Sequence, residues 1–327
     1  MNFQELLNDS NYLFLKTEFE NNPIQYLTFS GSISYGTNNE NSDVDIRGIY
    51  LENIDELLTI KKTRTNFINE KTDTVLYSLR EFCKLLSNCN PNILELMGVN
   101  EEHIIYETNI IKSLKENLSL FLNKHAYFTF IGYANQQLRR LQNALAYDVY
   151  NKEKHILKTI QYELSRTEND FKLLNSNNEC NLYIDNNEIV TDLNLKHISF
   201  RELANRINQL QATVKNFDKL NHRNRKKDDN HLNKHAMHLI RLLFTGIDVL
   251  QYGIIKTYRS NELSLLKDIR NGLVPYEDIF KLAESLEIKI KKIYENSKLP
   301  DKPNYDQINE WLKNIYINYY FRRNNNE

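Results

Sequence analysis

Apolar and polar positions alternate differently in the two parts of this chain, and the change falls near residue 108. In the N-terminal part, short apolar runs are separated by polar and glycine-containing stretches, which is typical of strands joined by turns. The runs at 24–29, 44–51 and 72–78 are predicted strands, and an amphipathic helix is predicted within residues 3–20. The N-terminal part therefore predicts a small mixed sheet with short helices.

Beyond residue 108 the apolar positions recur mainly with the helical period. They predict helices at 109–123, 125–148, 152–176, 198–219, 231–256, 261–270, 276–297 and 304–320. An Asn-Asn pair between two apolar runs at 182–190 is typical of a small hairpin, and the charged run 222–229 predicts an exposed loop. The predicted fold class is α+β, with a mixed-sheet domain over residues 1–107 and a mostly helical domain over residues 108–327.

Composition and charge disfavour several classes of function for this chain. The 327 residues carry a net charge of −1, which does not suggest a general polyanion-binding protein, although it leaves room for a local basic groove. The three cysteines lack metal-ligand spacing and predict buried thiols in a reducing compartment. No secretory signal pattern is present at the start, and no apolar run approaches the ~20 residues that span a bilayer. We therefore expect a soluble, cytoplasmic protein with no membrane partner.

Two neighbouring segments, 29–37 and 42–48, carry the candidate chemistry. A Gly31-Ser32 turn follows an apolar run, and about a dozen residues later two aspartates, Asp43 and Asp45, are separated by one residue. On an extended strand, residues i and i+2 point to the same face, so the two carboxylates are predicted to lie side by side. Two such charges favour a cation between them, typically Mg²⁺ when a nucleoside triphosphate is the co-substrate. The pattern suggests nucleotidyl transfer.

The joined pattern Gly-Ser-x-x-Tyr-Gly-Thr-x(4)-Ser-Asp-x-Asp-x-Arg-Gly resembles the signature of the nucleotidyltransferase superfamily named after DNA polymerase beta. Within it, the chain resembles the predicted nucleotidyltransferase family called YcgL-like or RlaP, whose members are sometimes linked with RNA ligases and RNA repair. The segments 79–82, 90–96 and 234–241, with 270–272, also look like that family. In the superfamily a third carboxylate sits on a neighbouring strand, and Asp73 lies at the position that the resemblance implies.

The resemblance implies a metal-dependent enzyme that moves a nucleoside monophosphate from a nucleoside triphosphate such as ATP to a hydroxyl, releasing pyrophosphate. Two metal ions, Mg²⁺ or Mn²⁺, serve such a reaction. Asp43 and Asp45 are expected to bind the metal that carries the triphosphate. Asp73 is expected to complete the second site, nearest the attacking hydroxyl, whose general base it could be. Gly31 and Ser32 are expected to contact the β- and γ-phosphates.

Two further groups have competing interpretations. Arg47 follows Asp45 by two residues and either steadies the carboxylates or a phosphate, or forms a structural ion pair. A polar stripe on the helix predicted at 231–256 either lines the cleft and binds the triphosphate or the acceptor, or is structural. Its members follow helical spacing: Lys234, His238, Arg241 and Thr245.

The acceptor is the least determined part of the prediction. An RNA end, in RNA repair or processing, is the expected acceptor. The basic run 222–227 supports this acceptor slightly, although a run of this kind is more often a solvated loop. A protein side chain or a small molecule is the alternative acceptor. A catalytically silent nucleotide-binding or antitoxin-like module is the alternative class, and the presence of all three aspartates argues against it.

Overall fold

The computed structural model describes residues 3–17, 19–20, 22–39, 42–60, 64–145, 182–185, 188–191, 204, 207–208, 211 and 229–322. The chain divides into two compact units. One comprises Met1–Gln137 together with Ala236–Glu327, and the other comprises Leu138–His235. The domain boundary after residue 107 stays a prediction.

The first unit contains a mixed sheet of five strands: β1 (Ile24–Phe29), β2 (Ile46–Tyr50), β3 (Asn66–Asn69), β4 (Thr74–Ser78) and β5 (Ile104–Glu107). Their order in the sheet is β3-β4-β2-β1-β5. Strand β2 is parallel to β4 and antiparallel to β1, while β5 and β3 flank the sheet antiparallel to β1 and β4. With the helices that follow, this sheet confirms the predicted α+β class.

Short helices surround the sheet: α1 (Phe3–Asn8), α2 (Phe14–Thr17), α3 (Gly31–Tyr35), α4 (Ile54–Leu58), α5 (Leu79–Ser87), α6 (Pro91–Met97) and α7 (Asn109–Glu116). The longer helices follow: α8 (Ala126–Leu145), α9 (Asp229–Tyr252), α10 (Leu263–Arg270), α11 (Tyr276–Asn296) and α12 (Tyr305–Ile317). Short 3-10 turns cover Ser10–Tyr12, Glu101–His103 and Leu118–Leu120, and a π-helical turn covers Asn318–Arg322.

The later helices agree in position with the helical periods of the sequence. The predicted helix 109–123 is shorter, because α7 ends at Glu116 and a 3-10 turn follows. The predicted helix 152–176 lies outside the described residues, and so does the predicted loop 222–229 except for Asp229, which begins α9. The predicted helix 198–219 is described at only four positions. In the second unit, β6 (Leu182–Asp185) pairs antiparallel with β7 (Glu188–Thr191), which confirms the small hairpin.

The centre of the sheet is buried on both faces. Strand β1 is buried at five of its six positions and β2 at four of five, whereas the edge strand β3 alternates exposed and half-buried residues. Gly48 permits this packing, because a Cβ there would lie 2.3 Å from the carbonyl oxygen of Tyr26. A Cβ would also lie 2.7 Å from the Leu76 side chain. The tightly packed middle strands hold the residues at their ends in fixed positions.

The C-terminal helix packs on the sheet-bearing part of the same unit. The indole of Trp311 donates a 3.1 Å hydrogen bond to the Ser113 hydroxyl. The hydroxyl of Tyr316 donates to the carboxylate of Glu52, a fully buried residue just after β2. Tyr320 donates to the carbonyl oxygen of Glu52 at 2.5 Å. Hydrogen bonds from α12 and from the turn after it therefore attach the end of this unit to the sheet-bearing part.

None of the helices within the described ranges is long and apolar enough to cross a membrane.

Candidate functional site

Three segments of the chain meet at one end of the central strands of the sheet. Strand β1 ends there, and β2 and β4 begin there, because β2 is antiparallel to β1 and parallel to β4. The amide of Ser30, just after β1, donates to the carbonyl oxygen of Asp45 at 2.8 Å. The amide of Ile46 donates to the carbonyl oxygen of Asp73 at 3.2 Å. Asp45 is thus bonded through its backbone to the Gly31 segment and lies next to Asp73.

Gly31 begins α3 in close contact with Asp45. Its φ of +59° belongs to the left-handed region, which favours glycine. A Cβ on this residue would lie 1.9 Å from Oδ2 of Asp45. A side chain at this position would therefore strain the backbone and displace the Asp45 carboxylate. Ser32 follows on the same short helix and is half-buried.

Arg47 joins Asp45 and Asp73. Its Nη2 lies 3.1 Å from Oδ1 of Asp73 and 3.9 Å from Oδ1 of Asp45. Its Nη1 donates to the carbonyl oxygens of Ile46, at 2.9 Å, and Asp73, at 2.5 Å. The side chains of Arg47 and Asp45 are each 22% exposed, and that of Asp73 is 55% exposed. One guanidinium therefore faces two carboxylates in a partly solvated pocket.

Asp73 has an unusual backbone. Its φ is +40°, in the left-handed region that aspartate tolerates better than most residues. The run 72–78 predicted that Asp73 lies on a strand. Strand β4 begins at Thr74, however, so Asp73 lies in the turn before it. Its carbonyl oxygen accepts hydrogen bonds from the Ile46 amide and from Arg47, and these contacts keep the turn in this conformation.

Asp43 lies apart from this contact set. Strand β2 begins at Ile46, two residues later than predicted, so both motif aspartates precede the strand. The hydrogen bond from the Ile46 amide to Asp73 starts β2 at this point. Asp43 is exposed, in a segment ordered by Ser42, whose hydroxyl donates to the Asn39 side chain at 3.0 Å. In the described part of the chain, no three Asp, Glu, His or Cys side chains group closely enough to hold a metal ion.

A buried polar network lies at the other end of α3. The Tyr35 hydroxyl donates to Oε2 of Glu95 at 2.7 Å, and Arg241 pairs with Oε1 of the same carboxylate. The guanidinium carbon of Arg241 also lies 3.8 Å from the centroid of the Tyr35 ring. Glu95 is 3% exposed and Arg241 4%. Burial raises the pKa of Tyr35 well above its usual range, which keeps the hydroxyl protonated as a donor.

Glu95 is the residue of this network that the sequence motif did not identify. It lies on α6 within the apolar stretch Ile93–Met97. A single carboxylate in such a stretch requires a buried partner, since an unpaired buried charge is costly. That signal indicates an ion pair but does not name the partner.

The polar stripe of α9 divides between buried and exposed positions. Arg241 and Thr245 are buried, and the Thr245 hydroxyl donates to the Arg241 carbonyl oxygen at 3.0 Å. His238 is half-buried, with its Nδ1 3.3 Å from Nη2 of Arg241 and its ring 6.1 Å from that of Tyr35. Lys234 is exposed and belongs to the second unit. The structure therefore brings His238 and Arg241 to the end of α3.

Residues 10–167 match the model of the family described as "RlaP: RNA repair pathway DNA polymerase beta family". Over this region, which is just under half of its length, the chain is similar to that family. The RlaP match includes Gly31, Asp43, Asp45 and Asp73, and it confirms the resemblance to DNA polymerase beta-like nucleotidyltransferases. The polar stripe of α9 lies beyond the matched residues. No curated protein and no solved structure matches the chain.

The RlaP family points to nucleotidyltransferase activity. The carboxylates at the ends of the central strands can therefore be checked against the ligands that a divalent cation prefers. Asp45 and Asp73 face the same positive group, Arg47, at 3.9 and 3.1 Å. Carboxylate oxygens are the ligands that Mg²⁺ and Mn²⁺ prefer. These two residues fit a hard divalent cation in the place of the guanidinium, with Asp43 two residues away along the chain.

Proposed function

We propose that this protein is a metal-dependent nucleotidyltransferase that transfers a nucleoside monophosphate from a nucleoside triphosphate to a hydroxyl of an RNA end, with release of pyrophosphate. The observation that carries the proposal is the contact of Asp45 and Asp73 with one positive group beside Gly31. This constellation lies within the residues that match the RlaP family. The cytoplasm is the compartment we expect for the reaction.

The aspartates are assigned to metal and proton chemistry. Asp43, Asp45 and Asp73 would hold Mg²⁺ or Mn²⁺. When bound, such a cation activates the attacking oxygen and stabilises the leaving oxygens of the phosphate chain. Asp73 has the most exposed carboxylate of the Arg47 contact set. It is therefore the residue best accessible to an acceptor hydroxyl, whose proton it would take as general base.

Gly31, Ser32 and Arg47 are assigned to the triphosphate. The backbone amides at the start of α3 would contact the β- and γ-phosphates, because glycine lets the backbone approach closely. The guanidinium of Arg47 suits phosphate oxygens, which it binds through two parallel hydrogen bonds.

The polar stripe receives a revised role in this proposal. Arg241 is buried against Tyr35 and Glu95, so we assign it to holding α3 in position and not to direct phosphate contact. His238 is half-buried beside it and remains proposed as a nucleotide contact. For Lys234 the same role stays a prediction.

Label transfer tests the proposal. The protein is incubated with each α-labelled nucleoside triphosphate, Mg²⁺ or Mn²⁺, and separate pools of RNA, protein and small hydroxylated molecules. We expect label on RNA ends, and its loss in the double variant Asp43→Ala with Asp45→Ala. The exposed helical residue Asp278 provides the control Asp278→Asn, which should retain transfer.

The outcomes separate the alternatives. Label on protein or on a small molecule, and none on RNA, would replace the acceptor while retaining the chemistry. Transfer that persists in the double aspartate variant would contradict the proposed mechanism. Binding of a triphosphate without transfer to any pool would favour a silent nucleotide-binding module.

A further inference from the structure

Arg47 stands where a cation shared by Asp45 and Asp73 would stand. Its guanidinium faces only oxygen atoms in its described hydrogen bonds and ion pairs: a carboxylate oxygen of each aspartate and the carbonyl oxygens of Ile46 and Asp73. An all-oxygen environment of this kind is also the coordination environment of a hard divalent cation.

We propose that the guanidinium of Arg47 takes the place of the metal ion between the two carboxylates. In the nucleotide-free protein it keeps Asp45 and Asp73 together and competes with the divalent cation for their oxygens. When the nucleotide binds, the guanidinium of Arg47 leaves the carboxylates and binds phosphate oxygens instead. This inference rests on the proposed function. It attributes the coupling between metal binding and nucleotide binding to one residue, Arg47.

The exchange is energetically accessible because the ion pairs are partly solvated. The Arg47 side chain is 22% exposed and that of Asp73 55%. Ion pairs that are open to water contribute little to stability, so the guanidinium can leave at small cost. Without any cation, however, two facing carboxylates repel each other, which explains why a positive group is retained in the free protein.

Coupling between the two ligands follows from this exchange. A triphosphate offers Arg47 a strong two-point partner, and the departure of the guanidinium leaves both carboxylates available to the metal. Each ligand therefore raises the affinity for the other by the same factor, as binding linkage requires. A purely structural Arg47 would stay on the Asp73 turn, and metal binding would then gain nothing from its removal.

Titration of the free protein with Mn²⁺, followed by electron paramagnetic resonance in the absence of nucleotide, tests the inference. We expect Arg47→Gln to bind Mn²⁺ more tightly than the wild type, by up to about fivefold, the factor that corresponds to one partly exposed ion pair. Adding Asp73→Asn to Arg47→Gln should abolish that gain. The control Lys281→Gln removes one positive charge from an exposed pair on α11 and should leave Mn²⁺ affinity unchanged.

A second variant covers the case in which Arg47→Gln does not fold. Arg47→Lys keeps the charge but loses the two-pronged donor, so a smaller gain of a few-fold is expected. Unchanged or weaker Mn²⁺ binding in the folded variants would overturn the inference. If label transfer is retained in that case, the proposed function stands without it, whereas absence of Mn²⁺ binding in every protein, with or without nucleotide, would overturn both.

Discussion

Arg241 on α9 and Glu95 on α6 form an ion pair from which water is almost completely excluded, although 146 residues separate them in the chain. The side chain of Arg241 is 5% exposed and that of Glu95 4%. Tyr35, the last residue of the helix that begins at Gly31, contacts both. The position of the glycine-serine helix thus depends on a helix from the C-terminal part of the same compact unit.

Removal of one member of this pair should destabilise the protein strongly. Arg241→Met leaves the Glu95 carboxylate buried without its counter-charge, and such losses cost about 3–5 kcal/mol. Urea unfolding at neutral pH measures the effect. The double variant Arg241→Met with Glu95→Leu should recover much of the loss, because it removes both charges. Additive losses in the double variant would show that the two residues do not act as a pair.

Loss of the Tyr35 hydroxyl should have a smaller effect. Tyr35→Phe removes the donor to Oε2 of Glu95 and leaves a buried acceptor without that bond, which costs about 1–3 kcal/mol. The exposed Tyr305 offers the matched control Tyr305→Phe, expected to change stability little. Thermal unfolding of the two variants distinguishes them. Equal melting temperatures would argue against a structural role of the Tyr35 hydroxyl.

Alanine at Gly31 should disrupt the candidate site more than the fold. The new Cβ meets Oδ2 of Asp45 and occupies a left-handed backbone position, so the carboxylate must move. A displacement of about 1 Å at a reacting centre can reduce the rate about 100-fold. We expect a reduction in label transfer of that order and weaker Mn²⁺ binding.

Gly132 on α8 is the matched control for this variant. A Cβ there meets nothing within 4 Å, so Gly132→Ala should retain both transfer and metal binding. Full activity in Gly31→Ala would exclude the close approach of Asp45 as a requirement for the reaction.

Alkaline pH should unfold the protein through its buried tyrosines. Burial raises the pKa of Tyr50 from 10.0 to about 12, and its hydroxyl donates to the Arg64 carbonyl oxygen at 2.5 Å. The unfolded chain loses this proton near pH 10, whereas the folded protein retains it until about pH 12. The stability that Tyr50 contributes is therefore fully present below pH 10 and is lost as the pH rises toward 12.

Melting temperature and tyrosinate absorbance, measured together against pH, check this expectation. We expect the melting temperature to fall above pH 10, with a rise in absorbance that coincides with unfolding. In Tyr50→Phe the fall over this pH interval should be smaller. Ionisation of the full set of tyrosines at pH 10 in the folded protein would contradict the assigned burial.

Local patterns carried most of what the sequence predicted correctly. The spacing of Gly31, Asp43 and Asp45 indicated the family, which the RlaP match confirms. Periodicity predicted α9, α11 and α12, and an Asn-Asn pair predicted the hairpin of β6 and β7. These features depend on residues close together in the chain, so turn preference and hydrophobic period are sufficient to reveal them.

Other features depended on partners far away in the chain. Strand β2 begins at Ile46 because its amide bonds to Asp73, and Asp73 is held in turn by Arg47. The burial of Arg241 was not visible in its helical stripe, because it depends on Glu95 and Tyr35 from other segments. The sequence by itself determined the resemblance to the nucleotidyltransferase family and the α+β class, because both depend on local motifs and periodicity. The tertiary structure decided which charges meet, because ion pairing and burial depend on packing between segments that no local pattern connects.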